Sequence, residues 1–207
     1  KGAPVEGAYS PDGKYLYFTN YAMYGKGFNK EGHDTCSPAS GFDSSFLSRI
    51  DLEKSQIDAV YPVGSVPKVV KVTPDNKYIL VSNWCSYTVT IISVETQKTV
   101  KSIKIGRYPR GISISSDNKY AYVAEMGGNR IHRINLEDFT VSYIPIGSNP
   151  RAISLSADDT KLYATLNISG KVIAWNLQTN KAIKTVATGK SARSLAISSD
   201  GSELYVV

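Results

Sequence analysis

One set of residues returns along this chain at nearly constant intervals, and that repeat restricts the fold more than any other feature. Segments opening Pro67-Lys68, Pro109-Arg110, Pro150-Arg151 and Ala192-Arg193 follow one another at steps of 42, 41 and 42 residues. Gly64, Gly106, Gly147 and Gly189 keep the same steps. An earlier copy opens at Pro4, 63 residues before Pro67, so it carries about 21 extra residues.

Each copy holds four short apolar runs. In the third they cover 111–115, 120–125, 130–136 and 141–146. Tyr, Val and Ile dominate them, which is strand chemistry. No segment sustains a 3.6-residue apolar period, so helix is expected nowhere, the insertion at 22–43 excepted. The first turn is the most regular element. Its five copies read Ser10-Pro11-Asp12-Gly13, Thr73-Pro74-Asp75-Asn76, Ser115-Ser116-Asp117-Asn118, Ser156-Ala157-Asp158-Asp159 and Ser198-Ser199-Asp200-Gly201. The fourth position holds only Gly, Asn or Asp, the residues that best tolerate positive φ. A type I turn followed by a left-handed residue is a common hairpin connection.

Four antiparallel strands in about 42 residues, repeated, predict an all-β β-propeller of four-stranded antiparallel blades. Solenoid coils are shorter, and a sandwich need not repeat its sequence. The blades are expected at 4–64 (with the insertion 22–43), 65–106, 107–147 and 148–189. A half blade follows at 190–207. About four and a half blades are therefore present. An open arc exposes strand edges, so the chain is expected to belong to a longer polypeptide that completes the propeller.

The second runs read Tyr17-Phe18-Thr19-Asn20, Leu80-Val81-Ser82-Asn83, Tyr122-Val123-Ala124-Glu125, Tyr163-Ala164-Thr165-Leu166 and Tyr205-Val206-Val207. They resemble the Tyr-Val-Thr-Asn motif of the YVTN-type propellers, the YncE-like and surface-layer-like group. The resemblance covers almost all of the chain outside 22–43. It implies a propeller of seven blades and an exported or cell-surface protein. The Lys- and Ser-rich composition also resembles a spirochaete surface antigen that joins an immunoglobulin-like domain to a seven-bladed propeller. The fold implied this way does not fix an activity.

In a propeller the loops joining strands B and C lie on the same face as the starts of strand A. The insertion is the B–C loop of the first blade and contains Cys36. Cys85 lies in the next B–C loop, beside Trp84 and Tyr87. Composition leaves two cysteines free to be a bridge or two thiols, but their places in neighbouring loops predict a Cys36–Cys85 disulfide. A bridge implies an extracytoplasmic compartment. Lys68, Arg110, Arg151 and Arg193 recur at the starts of strand A. With Trp84 and Tyr87 they form the candidate binding residues, for a protein or an anionic ligand. Internal pairing with acids is the competing role for the basic residues, and packing is that for the aromatics. Counting alternation from Ile112 and Ile114, Arg110 points between blades.

Net charge is +6 with a sequence pI of about 9.2. That balance permits anionic partners, nucleic acid among them, without requiring one. No run of 18 apolar residues occurs. No zinc, haem, phosphate-loop or nucleophile-elbow motif is present, so no cofactor, metal or catalytic residue is expected. Glu31, Asp34 and Glu125 are what remain for a hydrolase of lactonase type. His33, Asp34 and Cys36 are the nearest approach to a metal cluster.

Overall fold

The computed structural model describes residues 4–20, 35–42 and 44–207. Blade 1 comprises β1 (Pro4–Tyr9), β2 (Tyr15–Asn20), β3 (Ser45–Asp51) and β4 (Gln56–Val63). Blade 2 comprises β5 (Pro67–Val72), β6 (Tyr78–Asn83), β7 (Thr88–Ser93) and β8 (Thr99–Lys104). Blade 3 comprises β9 (Pro109–Ile114), β10 (Tyr120–Glu125), β11 (Ile131–Asn135) and β12 (Val141–Ile144). Blade 4 comprises β13 (Pro150–Leu155), β14 (Lys161–Leu166), β15 (Lys171–Asn176) and β16 (Lys181–Ala187). The pair β17 (Leu195–Ile197) and β18 (Leu204–Val206) forms a separate two-stranded sheet. Each blade is a four-stranded sheet in sequence order, and its pairings are antiparallel. Helix among the described residues is a single 3-10 turn, Pro38–Ser40. This is the expected propeller fold.

The five A–B turns share one construction. Gly13, Asn76, Asn118, Asp159 and Gly201 all have φ between 54° and 73°. Ahead of each, a Ser or Thr hydroxyl donates to the Asp two residues on, at 2.5–2.7 Å. The same hydroxyl oxygen accepts the N–H five residues on, at 2.9–3.0 Å. A β-branched residue at the fourth position would strain the turn by about 1–2 kcal/mol, because its Cβ crowds the following carbonyl at positive φ.

The chain divides into two compact units, Lys1–Pro109 and Arg110–Val207. In the first, Tyr17, Leu47, Tyr61 and Val63 of blade 1 join Val70, Ile79, Val81 and Ile92 of blade 2 in one core. In the second, Tyr122, Ala124, Ile131 and Ile144 of blade 3 pack with Ile153, Leu155, Leu162 and Trp175 of blade 4. Each Val, Leu or Ile side chain among them, removed from water, contributes roughly 1.5–3 kcal/mol. Sheet faces buried against a neighbouring sheet are what the apolar alternation requires.

Strand A does not run regularly. Its pairing with strand B shifts between Pro4 and Gly7, Pro67 and Val70, and Pro150 and Ile153. The motif hydroxyl of strand B bonds these irregular segments. Thr19 donates to the carbonyls of Lys68 (2.9 Å) and Glu6 (3.3 Å). Ser82 accepts the Val69 N–H at 3.1 Å, and Thr165 accepts the Ala152 N–H at 3.0 Å. A bulge re-aims the side chains within it, and Lys68 and Arg151 sit inside two of these bulges. At Lys68 and Arg151, simple alternation along the strand is therefore broken.

Candidate binding sites on the B–C loop side

In the first unit, the loop after β6 folds back onto the start of its own strand A. The N–H groups of Trp84 and Cys85 donate to the carbonyls of Val66 and Ser65, at 2.9 and 3.2 Å. The B–C loop and the start of strand A therefore lie together. Ser65 also donates its hydroxyl to the Phe42 carbonyl at 3.0 Å, which ties blade 2 to the insertion of blade 1. Cys36 and Cys85 form a disulfide, with Cα atoms 5.2 Å apart. Tyr87 adds a third tie, its hydroxyl donating to the Cys36 carbonyl at 2.8 Å.

Aromatic rings complete this cluster. Trp84 stacks on Tyr108, with centroids 4.6 Å apart and planes 19° apart. Tyr87 meets Tyr108 edge-on at 5.5 Å. The Lys68 ammonium lies 5.3 Å from the Trp84 ring, and the Arg107 guanidinium lies 5.3 Å from the Tyr108 ring. Trp84 and Lys68 are 4% and 5% exposed, so both are packed inside the cluster. Tyr87 and Tyr108 are half-buried, and Arg107 is exposed. Burial, with the Tyr108 hydroxyl as the next cause, pushes the Tyr87 phenol above its ordinary value. Val66, Tyr87 and Tyr108 all have φ near +60°. For β-branched Val66 that is a strained conformation, sustained only where surrounding contacts fix it.

In the second unit, Arg110 and Arg151 are the second residues of β9 and β13 and are half-buried. Arg193 is exposed just before β17. A Cβ placed on Gly111 would lie 2.6 Å from the Arg151 carbonyl oxygen. Strand A of blade 3 thus meets that of blade 4 backbone to backbone, beside both arginines. The B–C loops close over these strand starts. Asn149 donates its backbone N–H to Gly128 and its side-chain amide to Met126, each at 2.9 Å. One blade on, the tie runs the other way: Asn167 of the B–C loop donates its side-chain amide to the Ala192 carbonyl, ahead of β17, at 3.0 Å.

Glu125 and His132 lie beneath the blade 3 loop. The His132 Nε2 and Glu125 Oε2 atoms are 2.9 Å apart, and the Arg130 Nε lies 3.4 Å from the same oxygen. Burial depresses the His132 pKa, against the opposing pull of Glu125. Among the described residues no three His, Cys, Asp or Glu side chains gather as a metal site. Glu31, His33 and Asp34 lie outside the described residues, and the Cys36 sulfur is held in the disulfide. A groove of about 230 Å³, lined by Tyr120, Arg133, Asn135, Thr140, Val141 and Ser142, sits at the opposite end of blade 3.

The arrangement separates the sequence-derived residues. Lys68, Trp84, Tyr87, Cys36 and Cys85 belong to the first unit, and Arg110, Arg151 and Arg193 to the second. Sequence reasoning missed Arg107 and Tyr108. Their signal was their place, immediately before the strand start at Pro109, where blade 4 has Ser148 and Asn149.

Three comparisons place the chain among known folds. It is similar over 99% of its length to a chain of Kuenenia stuttgartiensis hydrazine synthase, with a TM-score of 0.82 and 24% identity. Over its full length it resembles a functionally unknown protein from Desulfotomaculum acetoxidans, with a TM-score of 0.77 and 19% identity. The β-propeller domain of Myceliophteria thermophila Cps50 (Swd1) matches with a TM-score of 0.78 and 12% identity. These likenesses concern the fold, and the chain spans 55%, 63% and 62% of the three. No curated protein matches the sequence. The model of the YNCE-like β-propeller family matches residues 43–200, most of the chain, and the protein belongs to that family.

Proposed function

We propose that this propeller is a non-catalytic binding module of an exported protein, engaging an acidic protein surface or other anionic ligand through its B–C loop side. The observation that carries the reading is the construction of the blade 2 loop. A disulfide, the Tyr87 hydrogen bond and the Trp84–Tyr108 stack hold one short loop from three directions. A surface fixed before binding loses little conformational entropy on binding. Arg107 stands exposed on it, and Arg193 is exposed on the corresponding side of the second unit. Arginine suits carboxylate, phosphate or sulfate, because its fork bonds such groups in pairs. The disulfide supports an oxidising, extracytoplasmic setting. No helix among the described residues is long and apolar enough to cross a membrane.

Fluorescence anisotropy with a labelled poly-glutamate peptide tests the reading. The Arg110→Gln/Arg151→Gln/Arg193→Gln variant, and separately Arg107→Gln, bind it more weakly than the parent. Unchanged binding by folded forms of both variants leaves these arginines a structural role. Preference for duplex DNA, with affinity falling steeply with salt, favours a nucleic-acid partner instead. Metal-dependent lactone hydrolysis by the parent favours the hydrolase alternative.

A further inference from the structure

Two of the four complete blades carry an arginine at the same place in strand C. Arg49 of β3 pairs with Tyr17 of β2, and Arg133 of β11 pairs with Tyr122 of β10. Blades 2 and 4 have Ile91 and Ala174 there. Both paired tyrosines are buried. Each guanidinium also lies over the ring that opens strand B, Arg49 over Tyr15 at 4.3 Å and Arg133 over Tyr120 at 5.0 Å. A ring on one face of a guanidinium leaves its N–H edge for acceptors.

The two blades differ in what meets that edge. In blade 1 the extra residue of strand D, Asp58, takes both prongs of the Arg49 fork at 2.8 and 2.9 Å. Strand D of blade 3 has no extra residue, and Ser142 alone stands opposite Arg133. Its hydroxyl accepts the Arg133 Nε–H at 3.1 Å. Among the described residues no carboxylate forms an ion pair with Arg133, and its two terminal nitrogens have no hydrogen-bond partner. The groove of about 230 Å³ at this end of blade 3 is lined by Tyr120, Arg133 and Ser142, the ring, fork and strand D residue of the comparison.

Nearby acids are committed elsewhere. Asp138 accepts the Thr140 N–H and hydroxyl at 2.9 and 2.7 Å. Asp117 accepts the Ser115 hydroxyl and pairs with Lys119 at 3.2 Å. The guanidinium opposes a metal cation and suits a carboxylate, which its fork bonds in pairs. The groove is smaller than the roughly 300–1,000 Å³ pockets that enclose whole small molecules, and its size fits one side chain. It lies on β12, the outermost strand of its sheet, where another polypeptide can reach it. Exposed Val141 adds an apolar wall for side-chain methylenes.

We propose that the groove of Tyr120, Arg133 and Ser142 receives an aspartate or glutamate side chain of a protein partner, held by Arg133 as Arg49 holds Asp58. The site lies at the opposite end of blade 3 from the B–C loops and does not rest on the binding reading above.

NMR titration of the unaltered protein tests it. In nitrogen–proton correlation spectra the Arg133 Nε–H and Ser142 amide signals shift saturably with acetyl-Ala-Glu-Ala-amide and not with acetyl-Ala-Gln-Ala-amide. Acetate saturates the same signals only at higher concentration, because it has no methylenes to lay on Val141. Arg133→Lys keeps the charge without the fork and weakens peptide binding about tenfold, the worth of one charge-assisted hydrogen bond. Ser142→Asp places a carboxylate of the chain's own beside Arg133 and abolishes the Arg133 response. The Arg110→Gln/Arg151→Gln/Arg193→Gln variant responds as the parent does, which separates this groove from the B–C loop side. Absence of a saturable shift, equal shifts by the two peptides, or full binding by either Arg133→Lys or Ser142→Asp overturns the proposal. Acetate binding as tightly as the peptide, or inorganic phosphate more tightly, overturns the protein partner in favour of a small anion.

Discussion

Asp12, Asp75, Asp117, Asp158 and Asp200 each accept a hydroxyl and the N–H of the residue two positions on. The hydroxyl bond is the main cause that holds Asp158 and Asp200 down to about 2, and it lowers Asp12 and Asp117 as well. A depressed carboxyl binds fewer protons in the folded chain than in the unfolded one. Its stabilisation is complete above the ordinary aspartate pKa of about 3.9 and is lost as pH falls toward the folded value. The thermal midpoint should therefore drop between pH 4 and 2, and Asp158→Asn/Asp200→Asn should flatten that drop. An equal slope in the variant would assign the acid sensitivity elsewhere. Gly111 makes the opposite kind of demand, one of space rather than charge. Its missing Cβ leaves room for the Arg151 carbonyl, so Gly111→Ala should destabilise by about 1–3 kcal/mol through overpacking. Equilibrium urea unfolding reads that loss, and an unchanged midpoint would mean that the two strands separate without penalty.

The uneven step of the repeat has its origin in one strand pair. Strand D carries an extra residue in three blades: Asp58 in β4, Val100 in β8 and Ile183 in β16, each at a register shift against strand C. Strand D of blade 3 pairs with β11 without a shift. That missing bulge is why this copy has 41 residues where its neighbours have 42. Bulges twist an outer strand and make its edge a poorer template for other chains. Deleting Val100 should convert blade 2 to the regular pairing of blade 3 and change stability by no more than about 1 kcal/mol. Deleting Ile91, fully buried in β7, should abolish folding, because a one-residue slip turns every later side chain to the wrong face. Circular dichroism melts of both deletions separate the outcomes, and equal tolerance would refute the bulge account. In blade 1 the bulge has an added use. Asp58 forms a two-pronged bond with Arg49, at 2.8 and 2.9 Å, and Arg49 is buried. Asp58→Ala leaves that guanidinium without its acid and should lower stability by about 3 kcal/mol.

Across the whole molecule, what the sequence made legible was what repeats. Five turns obeying one backbone rule, with four apolar runs per copy, leave little besides blades. Side-chain direction at the strand starts was less legible, because bulges at Lys68 and Arg151 break the alternation on which such counting depends. The Trp84–Tyr108 stack brings together rings 24 positions apart, and Tyr108 interrupts no apolar pattern that would have flagged it. The disulfide was readable because topology puts its two cysteines in neighbouring loops, and it carries a long-range test of this fold. Its partners are 49 positions apart, and closing a loop of that size stabilises by about 4 kcal/mol in the chain-entropy model. That gain acts on the unfolded chain. Cys36→Ser/Cys85→Ser should therefore lose about 2–4 kcal/mol in urea unfolding while its m value rises, because the uncrosslinked chain expands further. Tyr87→Phe, which removes the hydroxyl bonded to the Cys36 carbonyl, should lose about 1 kcal/mol in the oxidised protein. In the Cys36→Ser/Cys85→Ser background it should lose less, because nothing then holds that carbonyl against the ring. Additive losses in this cycle would show that the hydrogen bond positions residue 36 without the bridge. A bridge variant with unchanged stability and m value would place the benefit of the disulfide in the folded loop rather than in the unfolded chain.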